Sequence, residues 1–552
     1  MATKFFFDNK EVSLPGAYST IKSVRTSPMI TATYGRVLVI DNGQGAEWGG
    51  GSGISGDGAS GADSVYRFTN LQEYQTFLKG GLFWKAAEAL FKPAGSLNGV
   101  SEVIHVRAAT TTKASMTFSP TGGGTAGGTF KVNTKDEGIS ANGIVTETGA
   151  DIHLDKGYAF SVESGVKDTD KFIFKIWRGT WRGDHTDGIA YDEISKEDTR
   201  PELIVSSPEF DNVQELIDWA NSSNKFNVLF SLDDTSTVTG EGTVTTADLT
   251  DLDAYNLATG GTETYSSTSL DEVLETVQEL DYSFLLSDQY GTNNYDSAQA
   301  TKMFVHLKDE AKFMKFMFVG GGQDEDEWDT ADGTIDIAKY FDDTHSIVVH
   351  GGVKKTSSVS PSGFRIWDSF VHTAYVLGRT AGLEPQVPVT NKWIDVDGVV
   401  HNMKKSDKEL ALEFGVITTQ YNEYTHTPTF NVLQGVNTLQ NNNNIVNPDA
   451  TSFSIQMMRV VSQINRELVI NASQQLLAEE SGVNMNTLSK GTLENWTKNY
   501  LQTKVATEQQ DNLIISYKDV TVTQQEDSYF VNYKIVVNGE ITKIFFTGFL
   551  LN

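Results

Sequence analysis

The hydrophobic pattern is clearest in the C-terminal part of the chain, residues 452–552. Apolar side chains recur every three or four positions over 457–476, which predicts an amphipathic helix with one apolar stripe. Five polar residues fall outside that stripe: Arg459, Asn465, Arg466, Glu467 and Gln474. Gly482 is expected to end this helix, because glycine tolerates the left-handed conformation that often follows a helix.

A second, shorter helix is predicted next, with Thr492 as its N-cap. Its shared apolar face would hold Leu493, Trp496 and Tyr500. The period then changes to two, and the alternation predicts strands at 513–523, 529–537 and 541–551. The last of these strands is strongly apolar, so we expect another element to cover it.

Two interpretations of the last strand remain open. Asn538-Gly539 favours a tight turn, which would fold 541–551 back on 529–537 within one subunit. A bare apolar strand at the edge of a sheet also invites pairing with another chain. We favour donation of this strand to a neighbouring copy, because it is too apolar for the edge of a free monomer.

Helical and extended patterns alternate in the middle of the chain. Three apolar strands, each preceded by a predicted helix, are expected at 282–287, 315–319 and 346–350. Earlier strands are predicted at 35–40 and 103–106, and a Gly/Ala-rich helix is predicted from Trp367 onward. Repeated helix–strand units indicate a mostly parallel sheet with helices on its faces.

The segment 113–256 differs in composition from the rest. Thr, Gly, Ser and Asp dominate it, and alternating runs such as 172–177 predict a β-rich insertion. Within this insertion we predict one helix at 213–220 and a strand at 227–232.

Charge and composition exclude several classes of function. The 552 residues carry a net charge of −29, concentrated in 113–256, whereas 452–552 is nearly neutral. Phosphate binding needs clustered cations, so we expect no direct nucleic-acid partner. The chain has no cysteine, which excludes disulfides and thiolate metal sites. The apolar patch near the N-terminus is too short for a signal peptide, and no apolar run is long enough to predict membrane insertion.

Few residues are candidates for chemistry. The acidic cluster at 324–332 could bind calcium, but its spacing does not fit an EF-hand, and we favour a solvated loop. The preceding glycines resemble a phosphate loop, yet the acid behind them would repel phosphate. His345 and His350 fall on opposite faces of a predicted strand and cannot share a metal. We therefore predict no catalytic, cofactor or metal residues, and no enzyme.

The most specific motif is Pro361-Ser362-Gly363, followed by the Gly/Ala-rich helix and a proline exit with Thr390-Asn391. Further matching segments in the same order lie at 12–18, 99–107, 257–261, 435–439, 458–461 and 541–546. Together they resemble contractile tail sheath proteins, which form the outer sleeve of contractile phage tails and related injection machines. The resemblance covers 1–112 and 257–552 well, and 113–256 poorly.

This resemblance implies an α/β and α+β multidomain fold. The implied parts are an extended N-terminal arm (1–25), a discontinuous main α/β domain (26–112 plus 257–399), a β-rich outer insertion (113–256) and an inner C-terminal domain with a terminal strand arm (400–552). Strand exchange between subunits would complete the C-terminal domain. The exchanged arms would present Phe5, Phe6, Phe7, Val12, Leu14, Ile541, Ile544, Phe545, Phe546, Phe549 and Leu551.

The implied function is structural and mechanical. The subunit would polymerise as stacked hexameric rings in a six-fold helical sleeve around the tail tube, and contraction would drive the tube through the host envelope for genome ejection. Its partners would be copies of itself, the tail tube protein, and the baseplate and tail terminator proteins. It would be assembled in the host cytoplasm and reside in the virion.

Two other classes remain open from the residues alone. The Thr/Gly/Asp-rich middle and the aromatic residues suit a secreted or surface β-rich carbohydrate-binding protein. A hydrolase with a scattered site is the other alternative. Assembly discriminates among the three, since a sheath subunit forms tubes and the others stay monomeric or form small closed oligomers.

Overall fold

The structure is a computed structural model. It describes residues 5–7, 10–12, 34–41, 65–78, 82–95, 97, 99–108, 110–118, 127–137, 142–148, 151–169, 171–178, 202–211, 213–232, 237–239, 256–264, 267–290, 297–308, 315–356, 364–422, 429–439, 454–473, 489–507, 512–525 and 528–537. The chain divides into two compact units. The smaller comprises Met1–Ala32, Ile464–Val505 and Ser516–Ile535, and the larger comprises Thr33–Gln463, Ala506–Ile515 and Val536–Asn552.

A seven-stranded sheet is the centre of the larger unit. From edge to edge its strands are Val416–Ile417, Ser346–Val349, Phe316–Gly320, Phe284–Tyr290, Arg36–Asp41, Glu102–Arg107 and Val65–Phe68. Every neighbouring pair is parallel except the last, which is antiparallel. The predicted mostly parallel sheet is therefore confirmed, and it includes Val416–Ile417, which lies beyond the main-domain boundary predicted at residue 399.

Helices cover both faces of this sheet. One face packs against Leu71–Leu78, Leu82–Phe91 and Ser369–Ala381, and the other against Ser267–Thr276, Ser297–Lys308, Thr334–Phe341 and Lys405–Glu413. Successive residues of Arg36–Asp41 alternate between the two cores, with Val37 and Val39 in one and Leu38 and Ile40 in the other. Burial on both faces explains why these strands are continuously apolar rather than alternating.

The helix Ser369–Ala381 is in close contact with the helix Leu82–Phe91. A Cβ added at Gly378 would lie 2.5 Å from the Ala89 carbonyl oxygen and 2.6 Å from that of Leu90. The glycine thus lets the two helix backbones approach each other, as its place in a Gly/Ala-rich helix suggested. The helix begins at Ser369 rather than at Trp367, because Phe364–Trp367 is a strand.

The β-rich insertion predicted at 113–256 forms its own antiparallel sheets, and these sheets extend beyond the predicted bounds to Thr110 and Thr264. One contains Glu202–Phe210, Phe172–Arg178, Tyr158–Ser164 and Asn256–Leu257, and another contains Phe230–Leu232, Gly127–Glu137, Thr110–Phe118, Thr262–Thr264 and Thr237–Thr239. Ile144–Thr148 pairs with Asp151–Lys156. The two larger sheets and the helix Val213–Ser222 share one hydrophobic core. The strand predicted at 227–232 is wrong in its first half, where the helix Asn224–Leu229 precedes the short strand.

Smaller elements complete the larger unit. A short 3-10 helix is found at Val277–Glu279. Two three-stranded sheets are formed by Phe364–Trp367, Val353–Thr356 and Gly398–Val399, and by Trp393–Ile394, Thr429–Val432 and Thr419–Asn422. Among the described residues, no helix is long and apolar enough to span a membrane.

The smaller unit holds most of the C-terminal helices and strands. The helix Ile455–Ala472 belongs to this unit from Ile464 onward, and the helix Lys490–Thr503 follows it in the chain. The N-cap of the second helix is Ser489 rather than Thr492, since the Ser489 hydroxyl accepts the Thr492 N–H. The strands Ile514–Gln525 and Ser528–Val537 come next, while 541–551 lies outside the described residues.

Candidate assembly interface

The two C-terminal strands form a sheet of only two strands, which we call the C-terminal ribbon. Within the described part of the chain, Ile514–Gln525 and Ser528–Val537 pair with each other and with no other strand. A two-stranded sheet is marginal in water, and the edge of a sheet is where a further strand can pair. The ribbon therefore offers two edges to which a further strand could add.

The side chains of Ser528–Val537 alternate in exposure along the strand. The half-buried set is Tyr529, Val531, Tyr533, Ile535 and Val537, and the exposed set is Ser528, Phe530, Asn532, Lys534 and Val536. This confirms the alternation predicted for 529–537. Two large apolar side chains remain on the open face, where Phe530 is 48% and Val536 is 42% exposed.

The other strand of the ribbon, Ile514–Gln525, contains one residue with an unusual backbone conformation, Asp519. This residue has a φ of 53°, in the left-handed region that non-glycine residues rarely adopt. Its carboxylate accepts a 2.8 Å hydrogen bond from Lys534 across the ribbon, which lowers the pKa of Asp519 and raises the pKa of Lys534. Regular strand addition is therefore easier along Ser528–Val537 than along this strand.

A tyrosine fastens the ribbon to the helix beside it. The Tyr533 hydroxyl donates to Asn465 Oδ1, on the part of the helix Ile455–Ala472 that belongs to the smaller unit. Burial raises the pKa of Tyr533 to about 12. The sequence placed Asn465 outside the apolar stripe of the helix, and in the structure it anchors the strand instead.

A buried ion pair joins the two helices of the smaller unit. Glu467 Oε2 lies 2.6 Å from Lys504 Nζ and accepts a 2.8 Å hydrogen bond from the Tyr500 hydroxyl. Burial, followed by the nearby carboxylate, raises the pKa of Tyr500. Glu467, Arg459 and Arg466 were expected outside the apolar stripe, but all three are buried. The helix is therefore enclosed on several sides, which the periodicity of one stripe does not reveal.

The predicted arm residues are only partly described. Phe5–Phe7 and Lys10–Val12 form a short antiparallel hairpin, in which Phe5 pairs with Val12. Leu14 lies outside the described residues, as do Ile541, Ile544, Phe545, Phe546, Phe549 and Leu551. Their role in strand exchange stays a prediction.

A second arrangement resembles the order of groups in a hydrolase. The Thr334 hydroxyl lies 2.7 Å from His350 Nδ1, and His350 Nε2 lies 2.8 Å from His401 Nδ1. Burial lowers the pKa of His350 well below its usual value. Thr334 is fully buried and His350 is 2% exposed, so a substrate cannot reach this hydroxyl in the observed conformation. The sequence singled out His350 only beside His345, and it did not indicate the contacts with Thr334 and His401 because these residues come from separate segments.

In the acidic loop at 324–332, carboxylates accept hydrogen bonds from nearby backbone N–H groups. Asp324 Oδ1 accepts the N–H groups of Asp326 and Glu327, and a Glu327 carboxylate oxygen accepts the Gln323 N–H at 2.6 Å. No group of side chains that could hold a metal ion is found among the described residues. The loop is thus organised by turn hydrogen bonds.

No family model matches the chain, and no curated protein matches it by sequence. The crystal structure of a sheath tail protein from Desulfitobacterium hafniense is similar to it, with 15% identity and a TM-score of 0.53 over 95% of this chain and 100% of that one.

Two other solved structures are similar over parts of the chain. A sheath tail protein from Listeria innocua has 15% identity and a TM-score of 0.45, covering 92% of this chain and 96% of that one. The helical sheath of the anti-feeding prophage in its contracted state has 13% identity and a TM-score of 0.36, covering 53% and 79%. The similarity to the sheath tail protein from Desulfitobacterium hafniense, with its TM-score of 0.53, shows that the chain has the fold of that protein.

Proposed function

We propose that this chain is a structural subunit of a contractile tail sheath. The observation that carries the proposal is a fold shared with a sheath tail protein over 95% of the chain. The enclosed Thr334–His350 pair favours a structural over a hydrolytic role, because no substrate reaches its hydroxyl in this conformation. The subunit would form a six-fold helical sleeve of copies of itself around a tail tube.

Strand exchange would link the subunits. The C-terminal ribbon supports this, because its two outer edges have no partner strand among the described residues. The arm 1–25 and the last strand would add to ribbons of neighbouring copies, through the apolar residues Phe5, Phe6, Phe7, Val12, Leu14, Ile541, Ile544, Phe545, Phe546, Phe549 and Leu551. The near neutrality of 452–552 suits a surface that packs against copies of itself.

Contraction would move the subunits as rigid bodies from a metastable extended state to a state with better contacts. The energy would lie in the interfaces, with no nucleotide hydrolysed. The insertion would face outward, and the inner domain would face the tail tube, with baseplate and terminator proteins at the ends. In a phage this device would eject the genome, and the subunit would be part of the virion.

Negative-stain electron microscopy of the purified full-length chain tests the proposal. We expect hollow tubes with six-fold end views over a concentration series. Particles that stay monomeric at every concentration, with a native circular dichroism spectrum, would contradict it. That result would favour the carbohydrate-binding alternative.

A further inference from the structure

The contact between His350 and His401 has room for one proton only. Their facing nitrogens are 2.8 Å apart, so one ring donates and the other accepts. On the other side of His350, Thr334 Oγ1 lies 2.7 Å away and already accepts the Gly322 N–H at 2.7 Å. If both imidazoles were protonated, two N–H groups would face each other and the contact would break.

A third buried histidine adds to this sensitivity. His372 Nδ1 lies 2.8 Å from the Gly351 carbonyl oxygen and therefore carries its proton. Its Nε2 has no hydrogen-bond partner in the described part of the chain, and the residue is 1% exposed. A proton on Nε2 would create a buried N–H without an acceptor, which is costly. Burial accordingly lowers the pKa of His372 to about 4.

These histidines lie where the loop 321–333 meets the carboxyl edge of the seven-stranded sheet. The loop is also held there by the Gly351 N–H, which donates to the Gly322 carbonyl at 2.9 Å, and by Gln323 Oε1, which accepts the Ser369 N–H at 2.8 Å. The His350–His401 contact thus connects the loop, the helix Thr334–Phe341 and the segment that carries His401. The charged residues that act on His401 are Asp407, Glu325, Asp324 and Lys404. Glu327 lies on the loop, and Asp368 is the N-cap of the helix that carries His372.

We propose that His350, His372 and His401 form an acid-sensitive latch, and that protonation frees the loop 321–333 and the start of the helix Thr334–Phe341 from the sheet edge. The latch is a property of this chain that does not depend on the proposed sheath function. Its geometry requires neutral rings in the closed state, whereas the open state accepts protons at the ordinary pKa of about 6.5.

The direction of the pH effect follows from these protonation states. Because the closed state depresses the pKa of His350, His372 and His401, the stability of the latch is present above about pH 6.5 and is lost as the pH falls below it. The carboxylates of Asp407, Glu325 and Asp324 oppose this effect at His401 by raising its pKa. Each proton taken up only by the open state raises the opening constant about fivefold between about pH 6.5 and about pH 5.5, and about tenfold per pH unit below that.

Amide hydrogen exchange of the full-length chain, corrected for the intrinsic pH dependence, tests the latch. From about pH 6.5 to about pH 5.5 we expect peptides within 321–341 to lose protection by about 5-fold for each proton that the open state takes up, which is about 5-fold for one proton and about 150-fold for all three. Peptides covering Arg36–Asp41 should change little. An equal loss of protection along the whole chain would overturn the proposal.

Two variants make the test specific. His401→Asn keeps a polar atom near the position of Nδ1 and does not titrate, so the acid response over this pH range should shrink by about fivefold, the share of one proton. His345→Asn is the matched control, since His345 lies beside the same sheet and contacts Phe316 rather than the latch. An undiminished response in His401→Asn, or an equal reduction in both variants, would contradict the latch.

A measurement on the unmodified chain guards against misfolding of a variant. Deuterium exchange at the imidazole C2 position gives the pKa of each histidine by mass spectrometry. We expect pKa values well below 6.5 for His350 and His372. A value near 6.5 for both would overturn the proposal.

Discussion

The ammonium of Lys504 lies 2.6 Å from the carboxylate of Glu467, whose side chain is only 1% exposed. The two residues join the helix Ile455–Ala472 to the end of the helix Lys490–Thr503, and Tyr500 donates to the same carboxylate oxygen. A charge buried this completely is tolerated because it is paired and hydrogen-bonded.

Removing one partner should therefore be strongly destabilising. Lys504→Ala leaves the Glu467 carboxylate buried without its cation, and we expect a loss of about 3–5 kcal/mol in the free energy of unfolding. The measurement is urea unfolding of the full-length chain. The matched control is Lys498→Ala, which breaks the more exposed pair with Glu494 on the same helix and should cost less than about 1 kcal/mol. Equal losses in the free energy of unfolding for the two variants would show that the buried pair with Glu467 contributes no more to stability than the more exposed pair.

Gly378 should not tolerate a side chain. Because an added Cβ would lie 2.5 Å from the Ala89 carbonyl oxygen, Gly378→Ala should lower the free energy of unfolding by about 1–3 kcal/mol, and Gly378→Leu by more. Gly491→Ala is the control, since its Cβ would meet nothing closer than Ser489 Oγ at 4.0 Å. That variant should be neutral or stabilising by up to about 1 kcal/mol. Unchanged thermal stability in Gly378→Ala would mean that the helices separate easily.

The insertion should be removable without loss of assembly. It has its own hydrophobic core, and the strands at its two ends, Thr110–Phe118 and Thr262–Thr264, extend beyond the predicted bounds 113–256 and are paired, with Thr110 opposite Thr264. Paired residues of antiparallel strands lie about 5 Å apart, so a short Gly/Ser bridge can replace 111–263. We expect the trimmed chain to form tubes in negative-stain images. An insoluble or strictly monomeric product would show that the insertion is structural.

The last strand should be needed for assembly and not for folding. If residues 541–552 are donated to a neighbour, a chain ending at Glu540 should stay soluble and folded but form no tubes, as seen by light scattering and electron microscopy. The alternative is an intramolecular hairpin through Asn538-Gly539. Loss of the cooperative unfolding transition in the truncated chain would support that alternative.

The local periodicity of the sequence was sufficient to identify the main sheet and the C-terminal ribbon. The strands Phe316–Gly320 and Ser346–Val349 are buried along their whole length, because both of their faces are covered. In Ser528–Val537, exposed and half-buried side chains alternate, because only one face of the strand is covered. The glycine contact of the helix Ser369–Ala381 was also visible, because small residues on a helix imply a close neighbour.

Only the tertiary structure decided which polar residues are buried and which residues pair with them. Glu467 and Lys504 are 37 residues apart, and His350 and His401 are 51 apart, so no local pattern connects them. A polar or charged residue is expected at the surface, because burying it without a partner is costly. The fold removes that cost by bringing a distant partner within hydrogen-bond distance, and it is this pairing, absent from any short stretch of sequence, that places Glu467 and His350 inside the protein.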